Sequence, residues 1–89
     1  METIKLNYGW NLPKNYTGMF EYPNGTIEYY LNGLIHREDG PAIIWKDGKV
    51  FYLIDDKDIT EEVIDWIIEN NIPEVWNNSH KILFKLTFG

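Results

Sequence analysis

The dipeptide Asn24-Gly25 recurs as Asp47-Gly48, each copy standing between runs of β-branched and aromatic residues. A two-residue hairpin turn of type I′ needs positive φ at both central positions, a demand that Asn-Gly and Asp-Gly meet at least steric cost. The flanks repeat with the turns. The segment Met19-Phe20-Glu21-Tyr22-Pro23-Asn24-Gly25-Thr26-Ile27-Glu28-Tyr29-Tyr30-Leu31 is matched by Ile43-Ile44-Trp45-Lys46-Asp47-Gly48-Lys49-Val50-Phe51-Tyr52-Leu53, with Tyr22 over Trp45 and Ile27 over Val50. Each unit predicts strand, tight turn, strand, in tandem. Between the units, Asn32-Gly33-Leu34-Ile35 leads into His36-Arg37-Glu38-Asp39-Gly40-Pro41-Ala42, punctuated as turns by Gly33 and by Asp39-Gly40-Pro41.

The rest of the chain frames these hairpins. Ile4, Leu6 and Tyr8 alternate with Lys5 and Asn7, which predicts a first strand, and Asn11 to Gly18, with Pro13, reads as a loop. Beyond the second hairpin the period changes: Val63, Ile64, Ile67 and Ile68 recur at helical spacing, with Glu61, Glu62, Asp65 and Glu69 on the other side. Asp58 or Thr60 can cap this helix, and Asn70-Asn71 with Pro73 ends it near residue 71. At the end, Ile82, Phe84, Leu86 and Phe88 alternate with Lys85 and Thr87, which predicts a C-terminal strand over 81–88. The expected fold is one α+β domain over 1–89. It comprises a small antiparallel sheet of about 5–6 strands in consecutive hairpins (19–58), one amphipathic helix (59–72) and the final strand.

Composition limits the function classes. The chain has 89 residues and no cysteine, so disulfides and thiolate metal sites are excluded and a reducing compartment fits. Met1 to Tyr8 has neither the basic start nor the apolar run of a signal peptide, and no stretch nears the roughly 20 apolar residues of a membrane span. A cytoplasmic location is expected. The net charge of −6 is concentrated: Asp55, Asp56, Asp58, Glu61, Glu62, Asp65, Glu69 and Glu74 face Lys57 alone between residues 55 and 74. Direct binding to nucleic acid or to an anionic membrane needs the opposite charge.

The alternation of aromatic strands with Asn-Gly or Asp-Gly, at the step that carries Gly25 onto Gly48, resembles MORN-type repeats. Tyr29-Tyr30-Leu31-Asn32-Gly33 running into the His36 to Ala42 heptad resembles, more narrowly, phage and bacterial repeat proteins of the His-Arg-x-Asp-Gly-Pro-Ala type. The resemblance covers residues 19 to 62. In the second unit Leu53-Ile54-Asp55-Asp56 replaces Leu31-Asn32-Gly33, and no second heptad follows. What the resemblance implies is a scaffold or interaction surface, and a phage or mobile-element setting in which short acidic proteins inhibit host machinery.

Three features are candidate sites. In the heptad, His36 with Glu38 or Asp39 could act as a base or metal ligand. Equally, Asp39 could hold its turn, Arg37 pair with a carboxylate and His36 bind a strand backbone. Glu61, Glu62, Asp65 and Glu69 form either a solvated helix face or a surface for a basic partner, since no Lys or Arg offsets the repulsion between Asp65 and Glu69. The aromatics Trp10, Tyr16, Phe20, Tyr22, Tyr29, Tyr30, Trp45, Phe51, Tyr52, Trp66 and Trp76 belong mostly in the core, with an exposed strip expected. His80 has no evident partner, and no Ser-His-Asp set or phosphate loop is present. These observations predict a non-enzymatic protein–protein interaction module, without a cofactor. Its contacts would come from Glu61, Glu62, Asp65, Glu69, His36, Arg37 and Asp39, and its partner would be a protein with a basic surface. A phage-encoded modulator of a host defence protein fits this reading. The alternatives are an acidic nucleic-acid mimic that blocks a DNA- or RNA-binding enzyme, a small-ligand binder or enzyme using the His36 loop, and a homo-oligomer built through sheet edges or exposed aromatics.

Overall fold

Both Gly-containing turns form hairpins, though not of the expected type. In the computed structural model, which describes the backbone of residues 3–5 and all of residues 12–89, Gly25 and Gly48 have φ near +94°, while Asn24 and Asp47 do not enter the left-handed region. Tyr22 N–H donates to Thr26 O at 2.8 Å and Gly25 N–H to Tyr22 O at 3.0 Å; in the next unit Trp45 and Gly48 repeat the pair at 2.8 and 2.9 Å. Each loop is thus a type I turn closed by a left-handed glycine, one residue longer than the expected turn. Pro23 supplies the reason in the first unit: its ring fixes φ at about −65°, which a type I turn wants at this position. Asn24 and Asp47 accept the N–H two residues on, at 2.9 and 3.0 Å.

Type I′ geometry appears instead at Asn32-Gly33, with φ of 52° and 86°, and at Asp55-Asp56, with φ of 49° and 68°. These two pairs are separated by the same step as Gly25 and Gly48. The second unit therefore keeps the repeat's turn although it lacks the Asn-Gly pair. Asp tolerates the left-handed region better than most side chains.

The elements in order are β1 (Thr3–Lys5), β2 (Gly18–Glu21), β3 (Ile27–Leu31), β4 (Leu34–Ile35), β5 (Ile43–Ile44), β6 (Val50–Phe51), β7 (Leu53–Ile54), β8 (Lys57–Asp58), α1 (Thr60–Glu69) and α2 (Asn78–Phe88). A six-stranded sheet has the order β1-β2-β3-β5-β6, with β4 also on β3, and β7-β8 form a separate ribbon. The pairing is antiparallel except for β1 on β2, which is parallel. The α+β class and the small, mainly antiparallel sheet are as expected. Of the predicted first strand, only Thr3–Lys5 is described; Leu6, Tyr8, Trp10 and Asn11 lie outside the described residues.

The molecule extends over 39 × 26 × 21 Å. On the sheet, Phe20 and Ala42 are fully buried, and Ala42 ties β3 to β6 by accepting from Tyr29 N–H and donating to Phe51 O. The apolar cluster of the core lies at the C-terminal end, where α1 and α2 enclose Val63, Trp66, Ile72 and Phe84 against Tyr52 and Ile59. Most of its rings meet edge-on or tilted, with Trp66 and Phe84 at 5.7 Å and Phe84 and Phe88 at 5.1 Å, while Tyr52 and Trp76 stack at 6.0 Å.

Helix α1 forms over the expected segment, but its N-cap is Ile59, which carries no side-chain cap, and not Asp58 or Thr60. From just ahead of the helix Asp58 instead accepts the Thr60 N–H, and at its end Asn71, with φ of 52°, lets Ile72 N–H close back on Ile67 O. The predicted C-terminal strand is a correction: residues 78–88 are helical. Asn77 and His80 form a reciprocal capping box, the Asn77 side chain accepting from His80 N and His80 Nδ1 accepting from Asn77 N–H. His80 thus has a partner, contrary to expectation. The alternating apolar residues also satisfy a helix, because Phe84 and Phe88 are four residues apart and share its inner face. The outer face pays for this choice, with Leu86 left 80% exposed. Among the described residues no helix is long and apolar enough to cross a membrane.

A Cβ on Gly33 would stand 1.9 Å from Lys14 O, whereas one on Gly25 or Gly48 would meet open space. Gly33→Ala should therefore cost more than about 2 kcal/mol, and Gly25→Ala or Gly48→Ala about 1 kcal/mol from positive φ alone. Urea denaturation of the three variants checks this order, and equal losses would contradict the close approach of the backbone.

Candidate interaction surfaces

The two type I′ turns are each clasped by the chain that precedes their unit. Asn32 N–H donates to Thr17 Oγ1 at 2.9 Å and Gly33 N–H to Tyr16 O at 2.9 Å. In the next unit Asp55 N–H donates to His36 Nδ1 at 3.0 Å and Asp56 N–H to Ile35 O at 2.9 Å. His36 thus occupies the place that Thr17 holds one unit earlier. Its accepting Nδ1 fixes the tautomer, so Nε2 carries the hydrogen and donates to Glu38 Oε2 at 3.0 Å. Asp55 Oδ1 also lies 3.1 Å from Nδ1, but the backbone N–H is an obligatory donor and takes that lone pair.

The rest of the heptad is equally engaged. Arg37 lays its guanidinium 4.0 Å from the centroid of Tyr29 and donates to Asp39 Oδ1 at 2.7 Å and Pro41 O at 3.1 Å. A Cβ on Gly40 would stand 3.1 Å from Arg37 Cζ, so the small residue makes room for the folded-back side chain. Glu38 reaches Lys85 of α2 at 3.6 Å and ties the loop to the last helix. A groove of about 400 Å³ runs over Tyr29, Tyr30, His36 and Arg37, but the heptad's charged groups along it are already paired. No three His, Cys, Asp or Glu side chains converge as metal ligands among the described residues.

The predicted contact residues separate accordingly. His36 is 9% exposed with both ring nitrogens occupied, so its expected place on a contact surface is corrected to a clasp inside the fold. Arg37 is half-buried beneath the same loop, and Asp39 is exposed. Glu61, Glu62, Asp65 and Glu69 are all exposed on α1, and none pairs with a Lys or Arg among the described residues. Ile64 and Ile68, expected to share the inner face, are instead exposed beside these acids, Ile68 at 69%. Each follows a residue of the inner side, Val63 or Ile67, and the helical rotation between neighbours carries it past the flank of the Val63 and Trp66 stripe. The spacing permits that displacement but does not select it until the inner pair is known.

A further polar cluster lies on the sheet, where Glu28, which the sequence does not mark as a candidate, joins two of the candidate aromatics. Tyr22 and Tyr30 both donate to Glu28 Oε1, at 3.0 and 2.6 Å. Burial, then the charge of Glu28 and the hydrogen bond to it, pushes the Tyr22 phenol up to about 12. Burial raises Tyr30 further, with Glu28 again contributing, and raises Tyr52, which Arg37 partly offsets. The available signal is the i, i+2 spacing of Glu28 and Tyr30, which puts both on one face of a strand.

Comparison with protein-family models, curated proteins and solved structures gives no match to this chain.

Two measurements test this geometry. His36→Ala leaves the Asp55 N–H without its acceptor and should cost about 1 kcal/mol, with faster hydrogen exchange at Asp55. His36→Asn, whose Oδ1 takes the place of Nδ1, should recover part of the loss; if alanine is neutral, the clasp is unimportant. The phenols supply the second test. Their folded values lie above the ordinary 10.0, so the native state holds protons that the unfolded chain gives up. The stabilisation from Tyr22 is full below pH 10.0 and is lost as pH rises through about 12. Denaturation midpoints across this window, followed beside tyrosinate absorbance, should fall less steeply in Tyr22→Phe.

Proposed function

We propose that this chain is a non-enzymatic protein–protein interaction module that meets a basic partner through the outer face of α1. The observation that carries this reading is the uncompensated charge of Glu61, Glu62, Asp65 and Glu69 beside exposed Ile64 and Ile68. Like charges four residues apart cost a helix roughly 0.2–0.5 kcal/mol, and solvation alone does not require that cost. A basic surface does, because it gains on-rate and register from charge of a single sign. The two isoleucines favour a protein over the nucleic-acid-mimic reading. They supply apolar contact area along the flank of the acids, which a phosphate-like surface lacks. In the setting implied by the heptad's resemblance, the partner is a host protein met in the cytoplasm and the chain is its phage-encoded modulator.

Affinity capture from a bacterial lysate, run side by side with the Glu62→Lys/Asp65→Lys/Glu69→Lys variant, tests the assignment. A specific protein should be retained by the native chain and lost by the variant, whose thermal stability should be unchanged or slightly higher. Its affinity should fall about tenfold or more as salt rises from low to several times physiological strength. A partner retained equally by the charge-reversed variant would remove α1 from the interface.

A further inference from the structure

The register that pairs Phe20 with Glu28 and Glu28 with Ile43 places these three side chains on one face of the sheet. There, between the two hairpin tips, runs a groove of about 290 Å³ lined by Tyr22, Asn24, Thr26, Glu28, Ile43 and Trp45. That volume is at the lower edge of small-molecule sites, about 300–1,000 Å³, and suits one side-chain-sized group rather than a cofactor. Its polar content is unbalanced. Glu28 brings a negative charge, and no Lys, Arg or His pairs with it among the described residues. Thr26 is 5% exposed, and its hydroxyl is a buried polar atom without a hydrogen-bond partner. Trp45 is 45% exposed at the same place, an unusual position for a residue that normally buries most of its surface.

We propose that this groove binds an alkylammonium group, held by the Glu28 carboxylate against the faces of Tyr22 and Trp45. The aromatic lining with one carboxylate is the chemistry that recognises a desolvated cation. The hydrogen bonds choose among cations. Both phenols converge on Oε1, at 3.0 and 2.6 Å, while Oε2 accepts from no described residue. A guanidinium needs both carboxylate oxygens for its parallel fork, whereas an ammonium is a point charge satisfied by one. The phenols also hold the carboxylate in place before the ligand arrives, so little side-chain freedom is lost on binding. This site lies on the sheet and shares no residue with the α1 surface.

The test is an NMR titration of the whole chain that follows the Trp45 indole N–H and the Thr26 and Glu28 amides. The probes are n-butylammonium chloride, Nα-acetyl-lysine methylamide and Nα-acetyl-arginine methylamide, each against sodium chloride at equal ionic strength. Saturable shifts at these positions with the first two probes, and several-fold weaker binding of the arginine probe, are expected. Binding of the blocked lysine assigns the site to lysines of proteins, and binding of butylammonium alone assigns it to free amines. Glu28→Gln should weaken binding by about tenfold, as should Trp45→Ala. Should the glutamine variant fail to fold, the alanine variant decides, since its side chain is exposed. The proposal is overturned if both variants bind as the native chain does, if the shifts follow ionic strength or map to α1, or if arginine binds as tightly as lysine.

Discussion

The N–H groups at a type I′ turn point to one side of the hairpin, and when that side is covered by protein they must find acceptors. In this chain each such turn gives two of them to the preceding unit: Asn32 and Gly33 to Thr17 and Tyr16, Asp55 and Asp56 to His36 and Ile35. A two-stranded ribbon such as β7-β8, which stands outside the six-stranded sheet, is marginal in water on its own. The clasp from His36 and Ile35 fastens it to the unit that precedes it. It also orders the heptad, because holding the His36 ring over the next turn brings Glu38 to Nε2 and returns Arg37 onto Tyr29. Ion pairing from Glu38 to Lys85 then carries the same arrangement to α2.

What can be read from the sequence follows the physics of short range. Hairpin positions, the existence of α1 and its Asn70-Asn71-Pro73 end are local matters, decided by turn chemistry and period. The dipeptide Asn24-Gly25 does not decide its turn type by itself, because Pro23 favours a type I turn that starts one residue earlier. Asp55-Asp56 hides its type I′ turn for the converse reason: its left-handed residues are sustained by His36 and Ile35, nineteen and more residues away in sequence. The C-terminal segment is ambiguous in principle. Ile82, Phe84, Leu86 and Phe88 serve period two and, through Phe84 and Phe88, the period of a helix. The Asn77-His80 box and the waiting surface of Val63 and Trp66 decide for the helix.

The candidate surfaces are legible unevenly for the same reason. An exposed acidic helix face can be read from spacing, since exposure is what charge dictates. Whether His36 points outward or inward depends on a turn in another unit, and no local pattern carries that information. Glu28 with Tyr22 and Tyr30 is intermediate: strand alternation puts the three on one face, but their convergence on a single oxygen atom needs the pleat and the actual rotamers.

Helix α1 begins where the repeat would have clasped another turn. The residue one period after His36 is Ile59, and its N–H still donates to Tyr52 O at 2.8 Å, as His36 N–H donates to Tyr29 O at 3.0 Å. The backbone of the repeat persists while the side chain changes from acceptor to hydrocarbon. With no imidazole to receive a further turn, the array stops, and Ile59 instead joins the cluster of Val63, Trp66 and Phe84. The helices therefore close the open end of the repeat. A closing element in a repeat array needs a polar outer face. That requirement accounts for charge on α1, but charge of both signs would meet it, and with less repulsion. Lys81 and Lys85 on α2 show that basic residues are available to this same end of the molecule. The single sign on α1 is thus the part of its surface that folding does not explain, and it is the part on which a partner of opposite charge would select.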